Sequence, residues 1–295
     1  MSRLSPTLAG VLMMLFGMFL FAANDALGKW LVGTYSVGQV LLLRSLVALV
    51  ILLPFLVGFG WRRLFQVDRP GLQAARVALA SAEVFCFYFA VRSLPLADTM
   101  TFWMASPIYV ALLSPLLLRE SVGLLRWGAI LLGFVGVFIA LAPEGGAGLD
   151  LPSMIAIVGS LCFALMVITG RSLRGTPDVT LVFWQLIGAG ALGFVAAPVG
   201  FVMPDMLDGA LLGLLGVVAM GAHLCITRAL KLADASLLAP LHYTLLLWAI
   251  LLGWLFFGDI PQGRLLFGAA IIVLAGLILA WPNRRALREK ARAPG

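Results

Sequence analysis

Charge is scarce in this sequence. Of its 295 residues only 11% are Asp, Glu, Lys or Arg, while 62% are hydrophobic, and the mean hydropathy is +1.09. A water-soluble fold of this size needs a charged surface around its core, so the composition excludes one. Cysteine is nearly missing as well. Cys86, Cys162 and Cys225 each stand alone in an apolar run, a spacing that offers no disulfide framework and no metal site and leaves them as packing residues. The two histidines, His223 and His242, lack a third ligand at helical spacing, so no metal is expected. GxxxxGK[ST] and HExxH are both absent, which excludes ATP-driven work by this chain and zinc-dependent hydrolysis. Residues 188–193 read GAGALG, formally a GxGxxG. No strand pattern precedes them and no acidic partner follows at the right distance, so they read as helix packing and no cofactor is expected.

What the chain has instead is apolar length. Cutting at charges, prolines and glycine-rich corners gives ten spans, at about 8–30, 38–58, 72–92, 98–118, 126–142, 152–171, 180–203, 208–230, 235–257 and 263–281. Each suits a membrane-crossing helix, which satisfies its own backbone in hydrocarbon. The expectation is an all-α membrane protein with ten transmembrane helices in a single transmembrane domain over 1–295. The first span reads as a retained helix rather than a cleaved signal, because Phe21 interrupts the small-residue pattern a cleavage site needs.

Orientation follows from Lys and Arg in the connections. Fifteen fall on one side and three, Lys29, Arg92 and Arg264, on the other; Arg44 and Arg76 lie within spans. Both termini are therefore expected in the cytoplasm. The basic tail, 283–295, reads as a juxtamembrane anchor on anionic lipid rather than a nucleic-acid patch, so membrane lipid is an expected partner and nucleic acid is not.

The chain repeats itself. LPLAD at 94–98 returns as LKLAD at 230–234, and residues 17–37 match 159–179 at eight positions, among them Gly17 with Gly159, Phe21 with Phe163 and Gly28 with Gly170. Two five-span units, 8–142 and 152–281, follow. An odd number of crossings per unit makes the second enter from the opposite face, an inverted repeat, and such repeats are a known route to alternating access.

Two half-signatures, VRSLPLADTMTFWMASPIYVALLSPLLLRE (91–120) and RALKLADASLLAPLHYTLLLWAILLGWLFFGD (228–259), resemble the drug/metabolite transporter superfamily, EamA type, and within it the YddG-like amino-acid exporters. In that family each repeat carries an Ala-Leu, four-residue, Ala corner and then a proline-bearing helix ending near an acid. The second copy supplies Ala229, Leu230, Ala235, Pro240 and Asp259. The first supplies Pro107, Pro115 and Glu120 but has Arg92 and Ser93 in place of Ala-Leu. The resemblance spans about residues 8–282 and implies a carrier fold and transport; it is weak on substrate.

Ionisable groups inside hydrocarbon are costly and ask for a reason. Glu83, near the middle of the third span, is the most expensive; it reads as a protonatable carboxylate recognising an ammonium or carrying a proton, or as a structural partner of Arg76 or Arg44. Asp25 and Arg44 lie at similar depth on adjacent spans and read as an ion pair or a gate. Asn24 beside them suits a polar substrate or a helix-to-helix hydrogen bond. His223 and His242 read as polar liners of the substrate path or as packing residues, with the repeat pairing His223 with Phe87 and His242 with Ser106. Trp103 and Tyr243, near the prolines of the fourth and ninth spans, offer amphipathic faces to an apolar solute or to packing. Pro107, Pro115 and Pro240 invite bends, and paired breaks mark where a central cavity is expected. Gly136 with Ala140 and Gly276 with Ala280 share a close-packing spacing.

The sequence therefore leads to a secondary transporter of the cell inner (plasma) membrane, monomer or homodimer. It is expected to export small amphipathic metabolites, amino acids favoured, by alternating access. Export of other metabolites or drugs, and an intramembrane enzyme on a lipid-linked substrate, stand as alternatives.

Overall fold

The computed structural model describes residues 6–67, 69–117, 124–141, 150–173, 175–232 and 239–280. Among them there is no strand. The helices, in chain order, are α1 (Pro6–Thr34), α2 (Val37–Phe59), a short α3 (Trp61–Leu64), α4 (Pro70–Ser93), α5 (Leu96–Met104), α6 (Ser106–Leu117), α7 (Leu124–Leu141), α8 (Leu151–Ser172), α9 (Asp178–Ala196) and α10 (Met206–Leu232). A 3-10 turn (Ala239–Tyr243) then leads into α11 (Thr244–Phe257), and α12 (Gly263–Ala280) closes the described chain. Among the described residues, five helical segments are long and apolar enough to cross a membrane by length and composition, and four shorter apolar ones accompany them.

Local chemistry sets the ends. The Ser36 hydroxyl accepts from the Gln39 amide to start α2, and the Asp150 carboxylate accepts from Ser153 to start α8, each satisfying one of the orphan amides of a first turn. Pro70 opens α4, where its missing N–H is no loss. Gly258, at φ 67°, lets α11 stop: its amide donates to Trp254 and the Asp259 amide donates to Gly253. That pairing needs a left-handed residue, which glycine adopts without penalty.

Two expected spans are not continuous helices. The fourth is split at Ala105 into α5 and α6, and the ninth begins as a 3-10 turn before α11. In the seventh expected span, α9 ends at Ala196, several residues before the expected 203, and residues 197–205 run as a non-helical connection.

The helices pair selectively. The most extensive contacts are α1 with α10, α7 with α12, α4 with α8 and α2 with α9; α1 with α11, α2 with α10, α4 with α9 and α6 with α8 follow. In lipid, burial of apolar side chains gives little net drive to associate, so close approach over small residues carries the packing. Gly17 faces Cys225 and Ile226 of α10, and Gly159 faces Cys86 of α4 and the Trp103 indole. Gly136 of α7 abuts the Gly268 carbonyl of α12, so its close packing is made within the chain. Gly188 and Gly193 of the GAGALG stretch press on Val77 of α4 and Leu42 of α2, so that motif is an interhelical contact. The largest apolar cluster joins α1, α2, α4, α5, α8, α10, α11 and α12.

Candidate functional site

The break between α5 and α6 positions the central side chains. Pro107 has no amide hydrogen, so the carbonyl four residues earlier, that of Trp103, loses its helical donor. The Ser106 hydroxyl takes over and donates to that carbonyl at 2.5 Å. The bend turns the Trp103 indole toward α4, where its Nε1–H donates to Glu83 Oε1 at 2.8 Å. Glycine at 159 leaves room for the ring: a Cβ there would lie 2.7 Å from the indole. A buried indole N–H needs an acceptor, and a carboxylate in hydrocarbon needs a donor; each meets the other's requirement.

Aromatic rings extend the cluster. Phe87 meets Trp103 edge-on at 5.1 Å between centroids, and Tyr88 adjoins Phe87 at 5.5 Å. The Tyr88 hydroxyl accepts from Arg44 Nη1, and the guanidinium lies 5.5 Å from the Tyr88 ring centroid, a cation–π geometry. Gly28 of α1 makes space for Tyr88: a Cβ would fall 2.3 Å from its ring. Asp25 shares the electrostatic field of Arg44 and Glu83. One cation, two carboxylates and the three aromatic side chains Phe87, Tyr88 and Trp103 thus gather where α1, α2, α4 and α5 meet α8.

The remaining sequence candidates are placed as follows. Asn24 is buried and donates to the Leu215 carbonyl of α10 at 2.8 Å, a helix-to-helix bond. Arg44 donates to the Tyr88 hydroxyl and shares an electrostatic field with the expected partner Asp25. Arg76 lies apart from this cluster and donates to Gln185 of α9 at 3.4 Å. Ser106 acts on the backbone of the break. His242 is exposed and Tyr243 half-buried at the end of the 3-10 turn. The side chain of His223 lies outside the described residues, as do the Asp98 counterpart Asp234, Glu120 and the tail.

A second polar set sits at the end of the bundle where α1 finishes. Lys29 Nζ is 2.6 Å from Asp259 Oδ2, with side chains 13% and 22% exposed, and lies 4.6 Å from the Phe257 ring centroid. The same carboxylate oxygen accepts from the Leu96 amide at 3.3 Å. Nearby, Tyr35 donates to Asp208 at 2.5 Å, which pushes the phenol up to about 12. Buried Gln39 bonds the backbone of Val202 in both directions.

Sequence reasoning picked out Glu83 and Trp103 separately and missed that they bond. It also missed Tyr88, Gly28 and the Lys29–Asp259 pair. The Gly28–Gly170 match in the repeat was the signal for a close approach; the pairing of Lys29 with an acid 230 residues away had none.

Among the described residues, no group of three or more His, Cys, Asp or Glu is arranged to hold a metal. A solved crystal structure shares the fold, with TM-score 0.63 at 18% identity over 99% of this chain and 100% of its own. A riboflavin transporter of Vibrio cholerae serotype O1 is 30% identical over 96% of this chain and 97% of its own length. A riboflavin transporter of Rhizobium johnstonii is 31% identical over 81% and 79%, and an S-adenosylmethionine uptake transporter of Rickettsia bellii is 23% identical over 91% and 92%. The model of the EamA-like transporter family matches residues 8–142 and 151–281, and with nearly the whole chain so accounted for, this multi-pass membrane transporter belongs to that family.

Proposed function

We propose that this chain is a secondary carrier for a flat heteroaromatic metabolite of the riboflavin or adenosyl type. The observation that carries this is the Glu83–Trp103 pair, set against Phe87 and Tyr88 inside the apolar bundle. Ring faces and edges suit a fused heterocycle, and the carboxylate and the Arg44 guanidinium supply an acceptor and donors for its ring N–H and carbonyl groups. The names of the relatives from Vibrio cholerae, Rhizobium johnstonii and Rickettsia bellii point the same way, toward uptake.

Transport would run by alternating access between two inverted five-helix units in a ten-span bundle of the plasma membrane, with both termini cytoplasmic. Three observations support that reading. Numbering the spans one to ten, the pairing of the first with the eighth has its mate in the third with the sixth, and the second with the eighth in the seventh with the third. Gly17 packs on Ala222 as Gly159 packs on Cys86, both pairs matched by the offsets of the repeat. The prolines break the fourth and ninth spans, which correspond.

Amino-acid export is the second reading, favoured by the opposite charges of Arg44 and Glu83 in one cluster, which match a zwitterion. Proteoliposomes holding the purified protein and offered labelled riboflavin, S-adenosylmethionine, tryptophan and leucine separate the two. Saturable counterflow of a heterocycle, with none of either amino acid, supports the first. Counterflow of the amino acids alone overturns it.

A further inference from the structure

Asp259 ties together three elements that belong to different parts of the chain. Its carboxylate holds the Lys29 ammonium of α1 at 2.6 Å and accepts from the Leu96 amide that opens α5 at 3.3 Å. Its own backbone is fixed by the glycine turn that stops α11. The carboxylate therefore draws the ends of α1, α5 and α11 to one point, directly beyond the Trp103–Glu83 cluster along α5. Phe257 lies against the ammonium at 4.6 Å, and the pair is largely shielded, so water screens it weakly. Asp98, in the first turn of α5, and Arg264, opening α12, share the field of the pair. An ammonium and a carboxylate at this spacing cannot be drawn apart without leaving two half-buried charges unmet. Yet α1 and α5 come from the first five-helix unit and α11 from the second, and rocking of the units requires their ends to separate here.

We propose that Lys29 and Asp259 form the latch that seals this end of the solute path, and that Asp259 is the positioning residue of the closed state. By the charge count of the connections this end faces outward, so the latched state is closed to the outside. This rests on the alternating-access reading above, not on the identity of the solute. Either partner's neutralisation frees the ends of α1 and α11 and shifts the population toward the outward-open state. Reversing both charges restores attraction and the closed state.

The test uses Cys86, one turn from Glu83 and beside Trp103 and Gly159, as the reporter, in a full chain carrying Cys162→Ser and Cys225→Ser. Right-side-out vesicles are treated with a membrane-impermeant maleimide. Asp259→Asn and Lys29→Gln are expected to speed labelling of Cys86 by about tenfold, the shift that loss of one charge-assisted hydrogen bond gives a two-state equilibrium. Lys29→Arg is expected to keep the parent rate, and the exchange Lys29→Asp with Asp259→Lys to bring labelling back toward it, short by the Leu96 hydrogen bond that a lysine cannot accept. A purely structural role would lower the melting temperature of all the variants alike and would not be rescued by the exchange. Unchanged labelling in folded single variants overturns the latch, and acceleration only in inside-out vesicles overturns its outward placement. Loss of counterflow for every heterocycle, with the labelling pattern intact, would sink the solute assignment while the latch stands.

Discussion

The two halves of this chain pack alike but are not chemically alike. Helix contacts in one half have mates in the other, down to Gly17 on Ala222 and Gly159 on Cys86. The polar cluster, in contrast, comes almost wholly from the first half: Asp25, Arg44, Glu83, Tyr88 and Trp103. At the offsets of the repeat, Asp25 is answered by Val167, Glu83 by Ala219 and Trp103 by Ala239, while Phe87 faces His223 and Ser106 faces His242. The difference teaches that packing and polar chemistry are separable in this architecture. Matching glycines give both halves close approaches, whereas one half alone supplies the charged and aromatic cluster.

The severest way to break this comparison is to spoil a close approach. Gly28→Leu places a side chain where the Tyr88 ring lies, and overpacking of this kind costs about 2 kcal/mol. We expect a lower melting temperature in detergent and no transport. Glu83→Gln removes charge but keeps shape, so uptake is expected to fall by about tenfold with the melting temperature nearly unchanged, the loss one hydrogen bond to a charged group produces. Moving the carboxylate by Glu83→Ala with Ala219→Glu sharpens the comparison, since the second half has Ala239 at the position that answers Trp103. No recovery of uptake is expected, and recovery would show the halves to be chemically interchangeable. Trp103→Phe keeps the ring and loses the N–H donor, worth about 1 kcal/mol, and should raise the KM for a heterocycle by about fivefold with kcat little changed.

The smallest effect is expected at Tyr35. Its phenol is held neutral by Asp208 up to about 12, above the free value near 10. Neutral Tyr35 therefore stabilises the fold fully below about 10, and this contribution fades as pH climbs through about 12. Tyr35→Phe should lower the melting temperature slightly near neutrality, where the bond to Asp208 is whole, and its gap from the parent protein should narrow as pH climbs through about 12.

Much of the architecture was legible because lipid imposes simple rules. Uninterrupted apolar length marks a helix, and glycine spacing marks an approach, as Gly136 and the GAGALG stretch bear out. The break in the fourth span could be foreseen from Pro107, but not its repair by Ser106, which depends on a rotamer. Charges in spans pointed to Glu83, Asp25 and Arg44, since each is too expensive to be idle. Their partners were hidden for a different reason. Tyr88 is one aromatic among many in a composition rich in them, and the pairing of Lys29 with Asp259 joins opposite ends of the chain, where no local periodicity reaches. Lys29 was counted as a loop charge on the strength of its position, although the helix carries on past it to Thr34.

The Gln39 amide, bonded to Val202 through both its nitrogen and its oxygen, acts as a single rung borrowed from sheet geometry. Stretch, insert into or shorten the connection around Val202 and that rung comes out of register, so epitope tags and fusion partners belong elsewhere on the surface.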